Sequence, residues 1–271
     1  MTSTNTKRIV LLGKTGAGKS SLGNTMFQEK LFTVNHSPNS ETATCEAKTD
    51  SINGREITLI DLPGFFDTDK SEEVMKPAIM RCIVESSPGP HAFLIVLKVE
   101  KYTEQEKAII TKMCEYFSQE VFKYATVLFT HGDQLQEGQT IQDFVGVNDS
   151  LNEFVKRCSG GCHVIDNKYW NQNATGYRSN HYQVEKVLQT IDKIVQANKN
   201  CCYTNKLLQN VEEDIKEQEE KISKKLVNIS TEQIREQAKA NVYEKWTTAG
   251  LTLVSVLGAF LGVAFVVLKV R

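Results

Sequence analysis

One stretch of this chain combines residue types and spacing suited to holding phosphate: Gly13-Lys14-Thr15-Gly16-Ala17-Gly18-Lys19-Ser20, a full G-x-x-x-x-G-K-S. A polyphosphate concentrates several negative charges in little space, and a glycine-rich loop answers them with a nest of backbone N–H groups. Gly16 and Gly18 lack the Cβ atoms that would block close approach. Lys19 can reach the outer phosphates, and the Ser20 hydroxyl is placed to ligate Mg²⁺. With Ser21 at the start of the following helix, residues 13–21 form the candidate phosphate cradle.

Forty-two residues beyond Lys19 comes Asp61-Leu-Pro-Gly64. In this D-x-x-G arrangement Asp61 holds the magnesium through water and the Gly64 N–H contacts the terminal phosphate. Between the two motifs, residues 32–46 are polar and aperiodic, as expected of a switch loop, and Thr42 and Thr44 are both candidates to complete the magnesium shell. Further on, the apolar run Ala125–Phe129 ends in Thr130-His131-Gly132-Asp133. An aspartate here can accept from the guanine N1–H and exocyclic amine, which adenine does not offer. Asp166-Asn167 follows the next apolar run, where a second base-contacting loop is expected.

These residues need a scaffold, and the pattern around them supplies one. Ile9–Leu12, Ile57–Ile60, Ala92–Leu97, Ala125–Phe129 and Cys162–Ile165 read as buried strands. Helix-length segments near 18–27, 70–86, 103–119, 148–158 and 180–197 alternate with them. The pattern predicts an α/β fold with a mainly parallel sheet covered on both faces. A further strand near Thr44–Ser51, turning at Asn53-Gly54, would make one edge antiparallel. Cys158, Cys162 and His163 have no fourth ligand spaced to join them, so Cys162 and His163 are assigned to a strand.

Composition sets the outer limits. The 271 residues include 40% hydrophobic and 24% charged side chains, which excludes a wholly disordered chain. A net charge of −1 provides no general field for nucleic acid. Seven cysteines without a C-x-x-C pair fit a reduced compartment. The N-terminal residues show neither an apolar signal core nor a glycine at position 2 for myristoylation.

After Cys202 the composition changes. Residues 203–245 lack glycine and proline, and Leu208, Ile215, Ile222 and Ile229 recur every seven residues. The complementary seam is mostly polar, so one long amphipathic helix is expected rather than a coiled coil. Residues 246–268 then carry no charge. As a helix they would extend about 34 Å at roughly 1.5 Å per residue, enough to cross a hydrocarbon core of about 30 Å. Lys245 and Trp246 would mark the entrance, and Lys269 and Arg271 the exit. Gly258 and Gly262 form a GxxxG that could let two such helices pack.

The chain resembles the immunity-associated nucleotide-binding GTPases, the GIMAP/IAN family, over about residues 7–205. The resemblance rests on the phosphate loop, Asp61-Leu-Pro-Gly-Phe-Phe-Asp67, Ser87-Pro-Gly-Pro-His91, Lys101-Tyr-Thr-Glu-Gln-Glu106, Phe129-Thr-His-Gly-Asp133 and Tyr203-Thr-Asn205. Chloroplast protein-import receptor GTPases are relatives that match the Lys101 box less well.

The resemblance implies a Ras-like P-loop domain binding GTP or GDP with Mg²⁺. It implies that His131 packs on the base, that Asp133 and Asn167 recognise guanine, and that Thr42 is the switch threonine. It further implies GTP-dependent homo- or hetero-oligomers acting as scaffolds at intracellular membranes of lymphocytes.

The expected divisions are a G domain (1–205), an amphipathic helical extension (206–245), a transmembrane anchor (246–268) and a short tail (269–271). This arrangement would place the G domain on the cytosolic face of the endoplasmic reticulum, Golgi, mitochondrial outer membrane or lysosome. Catalytic power is expected to be low. Phe65 stands where a Ras-like protein has its water-orienting glutamine, and Lys101 stands where the family has an arginine finger. Lysine keeps the charge but not the planar fork. A scaffold without useful turnover is the alternative, and an unrelated P-loop ATPase is opposed by Asp133.

Overall fold

The structure is a computed structural model. It describes residues 6–34, 45–62, 72–104, 107, 110, 111, 118–170, 175–225, 229–248, 256 and 259–261. Six strands form one sheet: β1 (Lys7–Leu12), β2 (Glu46–Ile52), β3 (Arg55–Asp61), β4 (Ala92–Lys98), β5 (Ala125–Thr130) and β6 (Cys162–Val164). Their order is β2-β3-β1-β4-β5-β6. All neighbouring pairs are parallel except β2 with β3. That pair turns at Asn53 (φ 50°) and Gly54 (φ 75°), two successive positive-φ residues as a tight hairpin requires.

The apolar run of β1 is continuous because both of its faces are covered. Ile9 and Leu11 pack with Leu22, Val184 and Ile191 on one face. Val10 and Leu12 join Ile79, Ile83 and Phe93 on the other. The first layer contains α1 (Lys19–Phe27) and α6 (Asn180–Ala197), and the second contains α2 (Glu72–Ser86). Among the described residues the domain also contains three shorter helices, α3 (Gln119–Phe122), α4 (Ile141–Gly146) and α5 (Asp149–Arg157). The sequence pattern did not indicate α4. A capping box between Thr140 and Asp143 starts it, and Ile141 and Val145 are its buried positions.

The stretch read as one long helix is instead a hairpin of α7 (Lys206–Lys225) and α8 (Thr231–Thr248). The heptad row points inward: Leu208, Ile215 and Ile222 are buried, as is Val211 of the complementary seam, while Ile229, beyond α7, is partly buried. Arg235 of α8 bonds Glu212 and Glu219 of α7, while Lys239 reaches Glu85 of α2 at 3.0 Å. The restart is encoded by Ser230, whose hydroxyl accepts from the Gln233 N–H while the Gln233 side chain accepts from the Ser230 N–H. This S-x-x-Q box was a legible signal that the absence of glycine and proline concealed.

Among the described residues, no helix is long and apolar enough to cross a membrane. Most of the expected anchor, 246–268, lies outside the described residues. Trp246 does not stand at a membrane entrance in this structure. It lies in the last turn of α8 at 2% exposure, and its indole N–H donates to Asp214 Oδ2 at 2.7 Å. Burying the ring while satisfying its N–H is how tryptophan is accommodated inside a domain.

Candidate functional site

The phosphate loop joins β1 to α1 at the carboxyl end of the sheet. Gly13 packs against β4 so closely that a Cβ there would lie 2.5 Å from the Val96 carbonyl oxygen. Gly18 has φ 88°, a left-handed conformation that glycine adopts without strain. Lys19 folds back over the loop, with its ammonium 3.0 Å from the carbonyl oxygens of both Gly13 and Lys14. Lys14 leans outward and pairs with Glu100 at 2.9 Å. That pair links the loop to the residue beside Lys101, which is exposed.

Asp61, the last residue of β3, lies almost fully buried at 1% exposure. Its Oδ2 accepts from the Ser20 hydroxyl at 2.5 Å, while its Oδ1 has no hydrogen-bond partner. Burial raises its pKa above the ordinary carboxylate value, opposed by Lys19 and by the Ser20 hydrogen bond. A buried carboxylate with a spare oxygen beside a hydroxyl is a hard-oxygen donor set that fits Mg²⁺. Thr42, Thr44, Gly64 and Phe65 lie outside the described residues.

The two base-side loops are tied to the phosphate loop and to each other. The Thr130 hydroxyl, at the end of β5, donates to the Ala17 carbonyl at 2.8 Å. His131 follows with φ 60°, its Nδ1 2.9 Å from the Thr130 hydroxyl. Asn167 donates to the Gly18 carbonyl at 3.3 Å and accepts from the Thr25 hydroxyl at 3.0 Å. The resemblance implied that Asn167 contacts the base; in the structure its amide joins the loop after β6 to the phosphate loop and α1.

Asp166 organises the second loop. Burial opposes its charge, but the Tyr169 and Lys168 N–H groups and the contact with Asp133 hold its pKa below the usual value. Asp133 is half-buried beside it. Burial and the hydrogen bond with Asp166 raise the Asp133 pKa, and the Gln134 amide donates to it at 2.6 Å.

The sequence reading missed three supports here. Asn180 accepts from the Asp166 N–H at 3.1 Å and donates to the Trp170 carbonyl at 3.3 Å. Trp170 packs on Gly132, where a Cβ would lie 2.6 Å from the indole ring. Thr25, one helical turn beyond Ser21, fixes the Asn167 amide. None of these belongs to a local motif, because each acts on a residue distant in sequence.

A parallel sheet with one antiparallel edge, a P-loop after its first strand and base-side loops after β5 and β6 define a Ras-like P-loop nucleotide-binding fold. The chain belongs to the AIG1 family, whose model matches residues 7–225. It is 31% identical over 217 residues to Immune-associated nucleotide-binding protein 9 of Arabidopsis thaliana, covering 78% of this chain and 62% of that protein. It is 32% identical over 229 residues to Immune-associated nucleotide-binding protein 8 of the same plant, covering 80% and 63%. The chain thus spans less than two thirds of the length of these two curated relatives. The mouse GTPase IMAP family member 8 is 28% identical over 193 residues, covering 71% of this chain and 27% of that protein.

Among solved structures, Toc33 from Arabidopsis thaliana with GDP and Mg²⁺ has a TM-score of 0.50 at 16% identity, covering 70% of this chain and 85% of that one. Another, of the chloroplast translocon components atToc33 and psToc159, has a TM-score of 0.53 at 19% identity and covers 70% and 83%. At these identities the likeness concerns the fold.

Proposed function

We propose that this AIG1-family chain binds GTP and GDP with Mg²⁺, and that the triphosphate state assembles it into a scaffold with slow hydrolysis. The observation that carries the reading is the anchoring of Thr130 and Asn167 to one phosphate loop, with Asp133 bonded to Asp166 next to Asn167, which sets base and phosphate recognition at fixed separation. The nucleotide-binding names of its relatives and the GDP and Mg²⁺ of Toc33 support it.

In this reading the loop N–H groups and Lys19 hold the phosphates, while Ser20 and Asp61 hold the cation, which would neutralise charge on the phosphate oxygens. Asp133 accepts from the guanine edge, His131 lies over the base, and Asn167 keeps the two halves in register. Dimerisation is important for the GTPase activity of atToc33 and psToc159, which supports a search for concentration-dependent turnover here. The apolar segment 246–268 remains our candidate for anchoring the chain to the cytosolic face of an intracellular membrane. A scaffold without useful turnover is the second reading, favoured by Phe65 and Lys101 at the positions where catalytic groups are expected.

The test is Asp133→Asn, which should lower GTP affinity at least about 100-fold and raise affinity for xanthosine triphosphate. Unchanged GTP affinity would remove the base assignment. Lys19→Ala should abolish tight binding of either nucleotide, and retained binding would displace the phosphate site.

A further inference from the structure

The described part of the apolar C-terminal segment does not lie free of the domain. Val256, Phe260 and Leu261 are buried in the core on the α2 face. Phe260 meets Phe93 at the start of β4 edge-on, with ring centroids 6.2 Å apart. Phe93 and Tyr124 both pack edge-on against Tyr203. The seat is therefore lined by three aromatic rings that stand at the amino ends of β4 and β5.

Polar contacts with fixed direction close it. Asn205 Nδ2 donates to the carbonyl oxygens of Ala259 and Phe260, each at 2.8 Å. The Tyr203 hydroxyl donates to the Phe260 carbonyl at 3.2 Å, and the Ser118 N–H donates to the Leu261 carbonyl at 2.9 Å. Three successive carbonyls are thus received by three residues of the G domain. Tyr203 is itself held in place: its N–H donates to the Pro90 carbonyl at 2.8 Å, and a Cβ on Gly89 would lie 1.8 Å from its carbonyl oxygen. The opposite side of Asn205 caps α7, its Oδ1 accepting from the Leu208 N–H at 3.0 Å.

We infer that the Tyr203–Asn205 element is a receptor for the chain's own apolar C-terminal segment, holding it on the G domain and withholding it from lipid. This rests on reading 246–268 as able to insert in a bilayer. Val256 to Leu261 lie at the middle of that segment, so a helix spanning the membrane would carry them to its hydrocarbon core. The seated and inserted arrangements therefore exclude each other, and membrane engagement requires the seat to open. The seat lies at the end of the sheet opposite the phosphate loop, so opening it leaves the nucleotide residues in place.

The test uses the full chain and Asn205→Asp. Aspartate retains the oxygen that caps α7, removes both donations to the tail and sets a carboxylate against two carbonyls. Binding of labelled GTP should be unchanged, which reports a folded domain. The amides of 259–261 should lose their protection from hydrogen exchange, and the fraction co-floating with phosphatidylcholine vesicles should rise at least fivefold over the unsubstituted chain. Full protection in the variant, or equal flotation of both proteins with the tail exposed only in the variant, would overturn the inference. The first outcome would remove the receptor. The second would keep the seat but remove the membrane reading on which its purpose depends.

Discussion

The Asn167 side chain donates to the carbonyl of Gly18 across 3.3 Å, joining the loop after β6 to the tip of the phosphate loop. Its oxygen takes the Thr25 hydroxyl at 3.0 Å. The nucleotide site is thus one connected unit before any ligand enters. Asn167→Ala removes both contacts, each worth about 1 kcal/mol. Affinity for GTP and for GDP should each fall about tenfold or more, measured by titration with a fluorescent nucleotide. A loss confined to the triphosphate would argue against a shared tether.

Asp61 presents a different balance. Burial raises its pKa, so the folded state binds this proton more tightly than the unfolded chain does. The carboxylate therefore costs stability above its folded pKa, and that cost shrinks as pH falls. Asp61→Asn keeps an oxygen for the Ser20 hydroxyl but carries no charge. The nucleotide-free variant should melt higher at pH 7 than the unsubstituted chain, and the difference should shrink as pH falls. Its GTP affinity should also depend less steeply on Mg²⁺ concentration. A lower melting temperature would show that the charge is stabilising where it stands.

Two histidines make acid unfolding predictable. Burial, reinforced by Arg8 and Lys7, lowers the His91 pKa to about 4, and burial with Lys186 does the same for His163. His91 Nδ1 accepts from the Arg8 N–H at 3.0 Å, which requires that nitrogen to be unprotonated. Below about pH 6.5 the unfolded chain takes up protons that the folded one refuses. The stability of the neutral rings is fully present above that pH and is lost as pH falls towards about 4. The double variant His91→Asn, His163→Val should flatten the dependence of melting temperature on pH across this window. An unchanged slope would assign the acid sensitivity elsewhere.

Lys101 stands next to Glu100, which is paired with Lys14 of the phosphate loop. If a second copy of the chain completes the hydrolytic site through this exposed lysine, turnover per molecule should rise with protein concentration. Lys101→Ala should remove that rise, lowering the high-concentration rate about tenfold or more, with GTP affinity unchanged. Steady, near-zero turnover in both proteins would favour the scaffold reading.

Much of this protein was determined locally. The Gly13–Ser20 loop, Asp61 and the Asn53-Gly54 hairpin are short-range patterns. Their geometry follows from backbone freedom, strand periodicity and charge within a few residues. The five buried strands could be read because a parallel sheet covered on both faces demands unbroken apolar runs. Only the tertiary structure decided the partners that meet across long separations.

Asn180 supports Asp166, Trp170 covers Gly132 and Thr25 holds Asn167, although nothing in their local spacing indicates it. The C-terminal region shows the same division. Heptad spacing disclosed an apolar helical face, but the number of helices turned on one capping box at Ser230. Sequence hydropathy raised the expectation that 246–268 enters lipid. Only the fold shows that Val256, Phe260 and Leu261 are buried against the domain beside Phe93 and Tyr203, because a protein interior removes apolar surface from water as a bilayer would.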